Sequence, residues 1–321
     1  MIYYGLMKNF CILLEKFLKI HTLLICVGFT NALATELDAS ISTRLRYDEG
    51  EDIRQQYAAQ FKFKHEFGED SCISVNAHLQ SGLRYGSNSV DYDRGLNLNL
   101  RKVYLDIQCI VDKTININEN ADIESIQIGA IPVESLNSLD LEKNSWIDGA
   151  KVVVDLKTII DKFTLTYGSV NPDASPDVFE RFNEERVRFV RATIEKEITE
   201  QMKTQLALTD YNDEIIFQAV LEVATDDFLP FADEIQIFTA RSEEKTYHNG
   251  IVLEKQIGDY NLKYGYYDID EELYDVSSFI GDEDAFFISL SKEVLERLTF
   301  TIRYRKGKTE QRVDMIGKYI F

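Results

Sequence analysis

Apolar and polar residues alternate along most of the chain after residue 34, which is typical of strands whose two faces meet different surroundings. In ELDASISTRLRY, the odd positions from Leu37 to Tyr47 are apolar or small, whereas the even positions include Ser40, Arg44 and Arg46. The same alternation recurs in QYAAQFKFKHEF, in CISVNAHLQSGL and in the closing RVDMIGKYIF. The chain is therefore expected to consist of many short strands.

About sixteen such segments can be counted, and no apolar run beyond residue 34 reaches the length of a membrane-spanning helix. The predicted strands are 36–47, 56–67, 71–85, 95–108, 122–131, 149–156, 162–170, 186–198, 201–210, 214–225, 233–240, 247–256, 259–267, 284–292, 296–305 and 308–321. This pattern predicts an all-β chain. A soluble β-sandwich would also alternate, so alternation alone does not separate it from a membrane barrel.

The lengths of the connections favour a barrel that crosses a membrane. Connections after even-numbered strands are mostly tight, near 68–70, 157–161, 199–200, 257–259 and 292–294. Several after odd-numbered strands are long and acidic, at 48–55, 86–94, 132–148, 171–185 and 268–283. Two connections break the rule, a long one at 109–121 and a short one at 211–213. Short periplasmic turns and longer extracellular loops are typical of transmembrane antiparallel β-barrels.

The first 34 residues have the pattern of a secretory signal peptide. Lys8, Lys16 and Lys19 precede an apolar run that ends in Ala-Leu-Ala, and we expect cleavage after Ala34. A membrane anchor is the alternative, but the run from Leu23 to Ala34 is too short to span a bilayer. The sequence thus predicts a signal peptide at 1–34, a barrel domain at 35–321, and export through the periplasm to the outer membrane.

Composition narrows the possible partners. The chain has 55 Asp and Glu against 35 Lys and Arg, a net charge of −20, which argues against nucleic acid because phosphate binding needs a basic surface. Its 17 Tyr and 19 Phe favour strands. The composition therefore points away from nucleic acid and towards a β-rich protein.

Candidate catalytic and metal-binding groups are sparse. The histidines after residue 34 are His65, His78 and His248, and none lies in a nucleophile–base motif, so we expect no enzyme activity. The acidic runs at 268–273 and 281–286 lack the spacing of a calcium loop. No metal site and no cofactor are predicted.

Cys72 and Cys109 lie near the same, periplasmic end of the third and fourth predicted strands. An oxidising compartment would allow a bridge between them. Alternation, however, places Cys72 on the inward face and Cys109 on the outward face, and residues on opposite faces do not bridge without a bulge. The phase shifts between Leu100 and Val103, which makes a bulge plausible there. We expect two free thiols.

The closing GKYIF resembles the C-terminal strand of the general bacterial porins, a family of 16-stranded outer-membrane barrels. The resemblance implies that Gly317, Tyr319 and Phe321 form the signal read by the barrel-assembly machinery. LRKVYLDIQ followed by IESIQIGAIP is similar to a porin strand pair, with Arg101, Tyr104 and Gly129 matching and Ala130 standing where an arginine is expected. The family also implies a homotrimer in contact with outer-membrane lipid and lipopolysaccharide.

In porins, the loop after the fifth strand folds inward and narrows the channel. The corresponding segment here, 132–149, carries the acidic candidates Glu134, Asp140 and Glu142, and also Asp148. The basic wall positions expected to face them are Arg44, Arg46, Lys62, Lys64, Arg84, Arg101, Arg186, Arg188, Arg303 and Arg305. Opposite charges across a narrow throat create a transverse field that sets ion preference.

Two functions remain open at this point. The first is a porin that passes small hydrophilic solutes and ions by passive diffusion. The second is a surface-exposed barrel that acts as an adhesin or receptor and conducts little or nothing. Single-channel conductance separates them.

Overall fold

The computed structural model describes most of the chain after residue 34, and the predicted signal peptide lies outside the described part. The described residues are 35–49, 54–67, 72–85, 99–108, 121–132, 136, 146–156, 159–170, 186–211, 213–225, 229–243, 246–270, 284–308 and 310–321. Within these ranges, no helix is long and apolar enough to span a membrane.

Sixteen antiparallel strands form one closed barrel, in which each strand pairs with its neighbours in the sequence. The strands are β1 Thr35–Asp48, β2 Arg54–Glu66, β3 Ile73–Tyr85, β4 Asn99–Ile107, β5 Ala121–Pro132, β6 Trp146–Leu156, β7 Lys162–Val170, β8 Val187–Thr199, β9 Met202–Tyr211, β10 Glu214–Ala224, β11 Glu234–Ser242, β12 Tyr247–Ile257, β13 Tyr260–Ile269, β14 Ala285–Leu295, β15 Leu298–Gly307 and β16 Gln311–Ile320. The predicted fold class is confirmed.

Strand bounds differ from the sequence prediction at four main places. β4 begins at Asn99 instead of residue 95, and β6 begins at Trp146 instead of residue 149. β14 continues to Leu295, so the tight turn follows it instead of occupying 292–294. Residues 308–310 connect β15 to β16, whereas the sequence pattern had assigned them to the last strand. The two predicted exceptions to the pattern of connection lengths are confirmed. The connection from β4 to β5 is long, at residues 108–120, and the connection from β9 to β10 is short, at residues 212–213.

The barrel closes where β16 pairs with β1. Ile41 lies opposite Tyr319, and the backbone N–H of Phe321 donates to the carbonyl of Ala39 at 2.9 Å. The Tyr319 and Phe321 rings meet edge to face on the outer surface, with centroids 5.0 Å apart. Pairing of the last strand with the first leaves no open sheet edge, which is a requirement for a sheet in lipid.

Inward and outward residues alternate as the sequence pattern predicted. On β11, Phe238 is 3% exposed and its neighbour Ile237 is 47% exposed. Leu45, Phe300 and Met315 are other large apolar side chains exposed on the outer face. An apolar exterior with aromatic side chains is what a barrel presents to lipid, and the fold has this transmembrane character.

At the end of the barrel with the shorter connections, two aspartates each link neighbouring strands through a lysine and a backbone N–H. Asp161, just before β7, accepts hydrogen bonds from Lys196 Nζ and from the Glu197 backbone N–H, each at 2.6 Å. Asp233, just before β11, accepts in the same way from Lys255 Nζ and the backbone N–H of Gln256. In each case the lysine hydrogen bond is the main cause that lowers the pKa of the aspartate.

The expectation of two free thiols is wrong, because Cys72 is disulfide-bonded. Its partner lies outside the described residues. β4 ends at Ile107, and the Gln108 backbone N–H donates to the Cys72 carbonyl at 2.7 Å. Alternation of faces holds only within a strand, so it does not constrain residue 109, and the argument from opposite faces fails there.

Candidate functional site

The inner face of β15, β16 and β1–β4 forms what we call the charged wall. Arg46 Nε donates to Asp314 Oδ1 at 2.8 Å, and Asp314 is only 1% exposed. Arg312 Nε bonds to Asp48 Oδ1 at 2.5 Å across the same β16–β1 seam. Such charge-assisted bonds hold long cationic side chains against the wall, which keeps the lumen polar on this side.

A row of basic side chains crosses β2, β3 and β4 on this wall. Lys62 lies opposite His78, and His78 lies opposite Lys102 in the strand register. The register shifts at this point, because Leu79 pairs with Leu100 and Arg101 becomes the extra residue of a bulge. Arg101 and Lys102 therefore both come close enough to interact electrostatically with His78. The bulge anticipated between Leu100 and Val103 is confirmed, and it concentrates positive charge.

The inner face of β8–β14 is different, and we call it the apolar wall. Its buried apolar side chains belong to two hydrophobic clusters, one of which also includes Ile131 of β5 and Ile147 of β6. Phe238 lies across Gly250 of β12, where any Cβ would collide with the phenyl ring. His248 packs edge to face on Phe238, with ring centroids 4.8 Å apart, and is 2% exposed. Part of this half of the interior is therefore a packed apolar surface, beside buried polar side chains such as Thr209 and Gln218.

Leu136 connects the segment after β5 to this apolar wall. It is 8% exposed and belongs to the cluster of Ala207, Val220, Phe238, Val252, Tyr267, Ala285 and Phe287, which lie on β9–β14. β5 and β13 stand on opposite sides of the barrel in the strand order. Leu136, four residues after the end of β5, therefore lies inside the barrel against the wall opposite β5.

The predicted throat residues divide into three groups. Arg44, Lys62 and Arg101 lie on the charged wall. Arg84 lies on β3 opposite Gln56, and its side chain is outside the described part. Glu134, Asp140 and Glu142 also lie outside the described residues. The throat of opposed charges remains a proposal.

Two basic residues expected on the inner wall are placed elsewhere. Arg186, just before β8, is exposed and donates to Ser169 Oγ at 3.5 Å. Arg188 alternates with the inward-facing Phe189 and pairs with Asp210 at 2.5 Å and Asp213 at 2.9 Å. Its side chain is 51% exposed on the outer side, near the long-loop end of β8. The interpretation of Arg188 as a lumen residue is therefore wrong, because it rested on a count of charges and not on the strand phase.

Sequence reasoning missed several inward cations. Lys102 faces inward by simple alternation from Ile107, opposite His78, and the bulge at Arg101 comes only after it. Lys151 and Arg191, buried at 4% and 7% exposure, face inward from β6 and β8. The signal for Arg191 was present in its alternation with Val190 and Ala192, whereas the run of valines after Lys151 hid the phase. Among the described residues, no group of His, Cys, Asp and Glu is placed to hold a metal ion.

Comparison with solved structures finds bacterial porins. A five-substitution variant of the Rhodopseudomonas blastica porin matches with a TM-score of 0.53, at 12% identity, over 90% of this chain and 100% of that one. A three-substitution variant of that porin gives 0.54, and a structure described under asymmetric conductivity of engineered proteins gives 0.55, with the same identity and coverage.

No protein-family model and no curated protein matches the sequence. At 12% identity, the similarity to these structures concerns the fold alone. The sixteen strands, their closure and the apolar exterior all agree with it. This chain has the fold of the bacterial porins, a closed 16-stranded antiparallel barrel of transmembrane character.

Proposed function

We propose that the protein is an outer-membrane porin through which small hydrophilic solutes and ions diffuse passively. The observation that carries this proposal is the position of Leu136, which follows β5 and packs into the hydrophobic cluster of the apolar wall. A segment docked on that side leaves the charged wall to line the remaining passage. A water-filled, charge-lined passage narrowed from one side is what an ion-conducting pore requires.

The throat itself is part of the proposal. Arg44, Lys62, Arg84 and Arg101 would form its basic side, and Glu134, Asp140 and Glu142 its acidic side. The likeness of fold supports this arrangement, as does the inward position of Leu136. No enzyme activity, cofactor or metal is part of this function.

Export and assembly complete the proposal. Residues 1–34 would be removed as a signal peptide, and residues 35–321 would be inserted by the barrel-assembly machinery in response to Gly317, Tyr319 and Phe321. The exposed rings of Tyr319 and Phe321 on the outer face support this role. Outer-membrane lipid, lipopolysaccharide and two further copies of the chain, in a homotrimer, would then surround the barrel.

One observation favours the alternative of an adhesin or receptor with little conductance. The two hydrophobic clusters fill much of the inner face of β8–β14. Purified, refolded protein in a planar lipid bilayer distinguishes the two functions. Discrete, ohmic current steps are expected for the porin, and a correctly folded barrel that gives no steps would contradict it.

A further inference from the structure

Two lysines of the basic row, Lys62 on β2 and Lys102 on β4, stand out by their lack of an ion-pair partner. Within the described part of the chain, neither side chain makes a hydrogen bond or an ion pair, although Asp38 lies opposite Lys62 on β1. Other lysines of the inner face are paired with a glutamate: Lys64 with Glu66 at 2.5 Å, Lys203 with Glu195 at 3.0 Å and Lys263 with Glu254 at 3.5 Å. The donors of Lys62 and Lys102 are therefore available to a solute.

The charges around these two lysines all have the same sign. Lys62, Arg101 and Lys151 act electrostatically on Lys102, and Lys62, Arg101 and Lys102 act on His78. Among the described residues, no carboxylate lies within the same reach of Lys102 or His78. Arg101 and Lys151 each have a further interaction, so the unbalanced charge is that of Lys62 and Lys102. Like charges this close repel one another, and an anion between them removes that repulsion.

Both lysines can be reached from the lumen. Lys62 faces inward and is exposed, and Lys102 is half-buried on the same inner face. They flank His78 in the strand register. Neighbouring strands lie about 4.8 Å apart, so the two lysine Cα atoms are about 10 Å apart. Each ammonium group carries three donors at the end of a flexible four-carbon stem, so the two groups can converge on one small anion.

The class of anion follows from this charge. The same pair of ammonium groups attracts a dianion twice as strongly as a monovalent anion at equal distance. An oxyanion also offers several oxygens, which can accept N–H donors from both lysines at once. Chloride has a single charge and a single atom, so it gains less at this position. The geometry therefore favours a small oxyanion with two charges.

We propose that Lys62 and Lys102 form a lumenal binding site for a small divalent oxyanion of the sulfate or phosphate type. Both lysines donate hydrogen bonds to its oxygens, and Arg101 and Lys151 add to the positive potential around it. The site rests on the proposed function in one respect, since the anion enters from the lumen. It gives the diffusion channel a preferred class of solute.

The test is isothermal titration calorimetry of sulfate into the folded barrel in detergent. We expect saturable binding to the wild type. A hydrogen bond to a charged group contributes enough to change Kd about tenfold, so Kd should rise about tenfold in Lys62→Gln and about a hundredfold in the double variant Lys62→Gln, Lys102→Gln. The matched control is Lys203→Gln, Lys263→Gln. It removes the same charge from the inner face, but at lysines that are already paired, so Kd should stay unchanged.

Three results would overturn the site: no saturable binding of sulfate, an unchanged Kd in the double variant, or an equal loss of binding in the control. Chloride that binds as tightly as sulfate at the same ionic strength would overturn the assignment to a dianion. A parallel titration with phosphate identifies which oxyanion binds more tightly, and saturable binding of either one supports the site. Lys62→Gln alone decides the question if the double variant does not fold, because Lys62 is exposed.

Recording in a planar bilayer separates the site from the channel. With KCl held constant, added sulfate should reduce the chloride-carried current saturably in the wild type, and only at higher concentrations in the double variant. Current steps without sulfate binding would overturn the site and leave the channel standing. Sulfate binding to a folded barrel that gives no current steps would instead overturn the channel and leave the site standing.

Discussion

Replacement of Leu136 by alanine should release the segment after β5 from the apolar wall. Leu136 is the described residue of that segment which joins the cluster of Phe238, Tyr267 and Phe287, and it is only 8% exposed. Truncation of a buried leucine to alanine costs about 3 kcal/mol where the site cannot collapse. That energy changes the ratio of docked to undocked segment by about 150-fold.

Single-channel recording measures the consequence. We expect Leu136→Ala channels to show larger current steps, or frequent transitions to a larger step, because the undocked segment no longer narrows the passage. Leu208→Ala is the matched control. Leu208 adjoins Ala207 of the same cluster but points outward and is 52% exposed, so its truncation should leave the step size unchanged.

Heat-modified migration on gels shows whether each variant is folded. A folded Leu136→Ala barrel whose conductance and current noise equal those of the wild type would refute the reasoning. It would mean that the docked segment does not limit the current, or that contacts other than Leu136 hold it in place.

Three further outcomes are expected. Deletion of Phe321 removes its backbone bond to Ala39 and the aromatic contact with Tyr319, and should reduce the yield of heat-modifiable barrel in cells, whereas a normal yield would contradict the assembly signal. Since lysine hydrogen bonds lower the pKa of Asp161 and Asp233, their stabilising effect is present above about pH 4 and is lost as the pH falls through the lowered pKa values. The double variant Asp161→Asn, Asp233→Asn should therefore lose less thermal stability than the wild type as the pH falls. An unchanged dependence of thermal stability on pH would show that these two aspartates do not stabilise the barrel. Replacement of Lys62 and Lys102 by glutamine should move the reversal potential in a KCl gradient towards cation preference, whereas Lys308→Gln, 71% exposed outside the lumen, should not.

The sequence alone was sufficient for the strand number, most strand bounds and the outward face. The alternation from Leu37 to Tyr47 and the closing strand to Phe321 predicted which side chains meet lipid. The physical reason is that the two faces of a strand are separated by a period of two, which is a local property of the chain. A closed barrel also follows from a membrane location, because the backbone N–H and C=O groups at an open sheet edge would have no hydrogen-bond partners in lipid.

The inner face was predicted less well, because a polar lumen was assumed. On the inward face of β10, the buried apolar Ile216 and Val220 alternate with Glu214, Gln218 and Glu222, so the sequence pattern did not show that part of this face is covered. Leu136, which covers it, lies in a segment without any periodicity. What it contacts depends on the opposite side of the barrel, more than sixty residues away in the sequence.

Only the tertiary structure decided which inward groups meet. The register of β3 and β4 placed Lys102 opposite His78, and the register of β4 and β5 placed Asp106 opposite Gln127. The end of β4 at Ile107 likewise removed the constraint that had separated Cys72 from a disulfide. Register, bulges and strand ends arise from pairing between strands, and a one-residue change in any of them exchanges the faces, so the pattern along one strand cannot specify them.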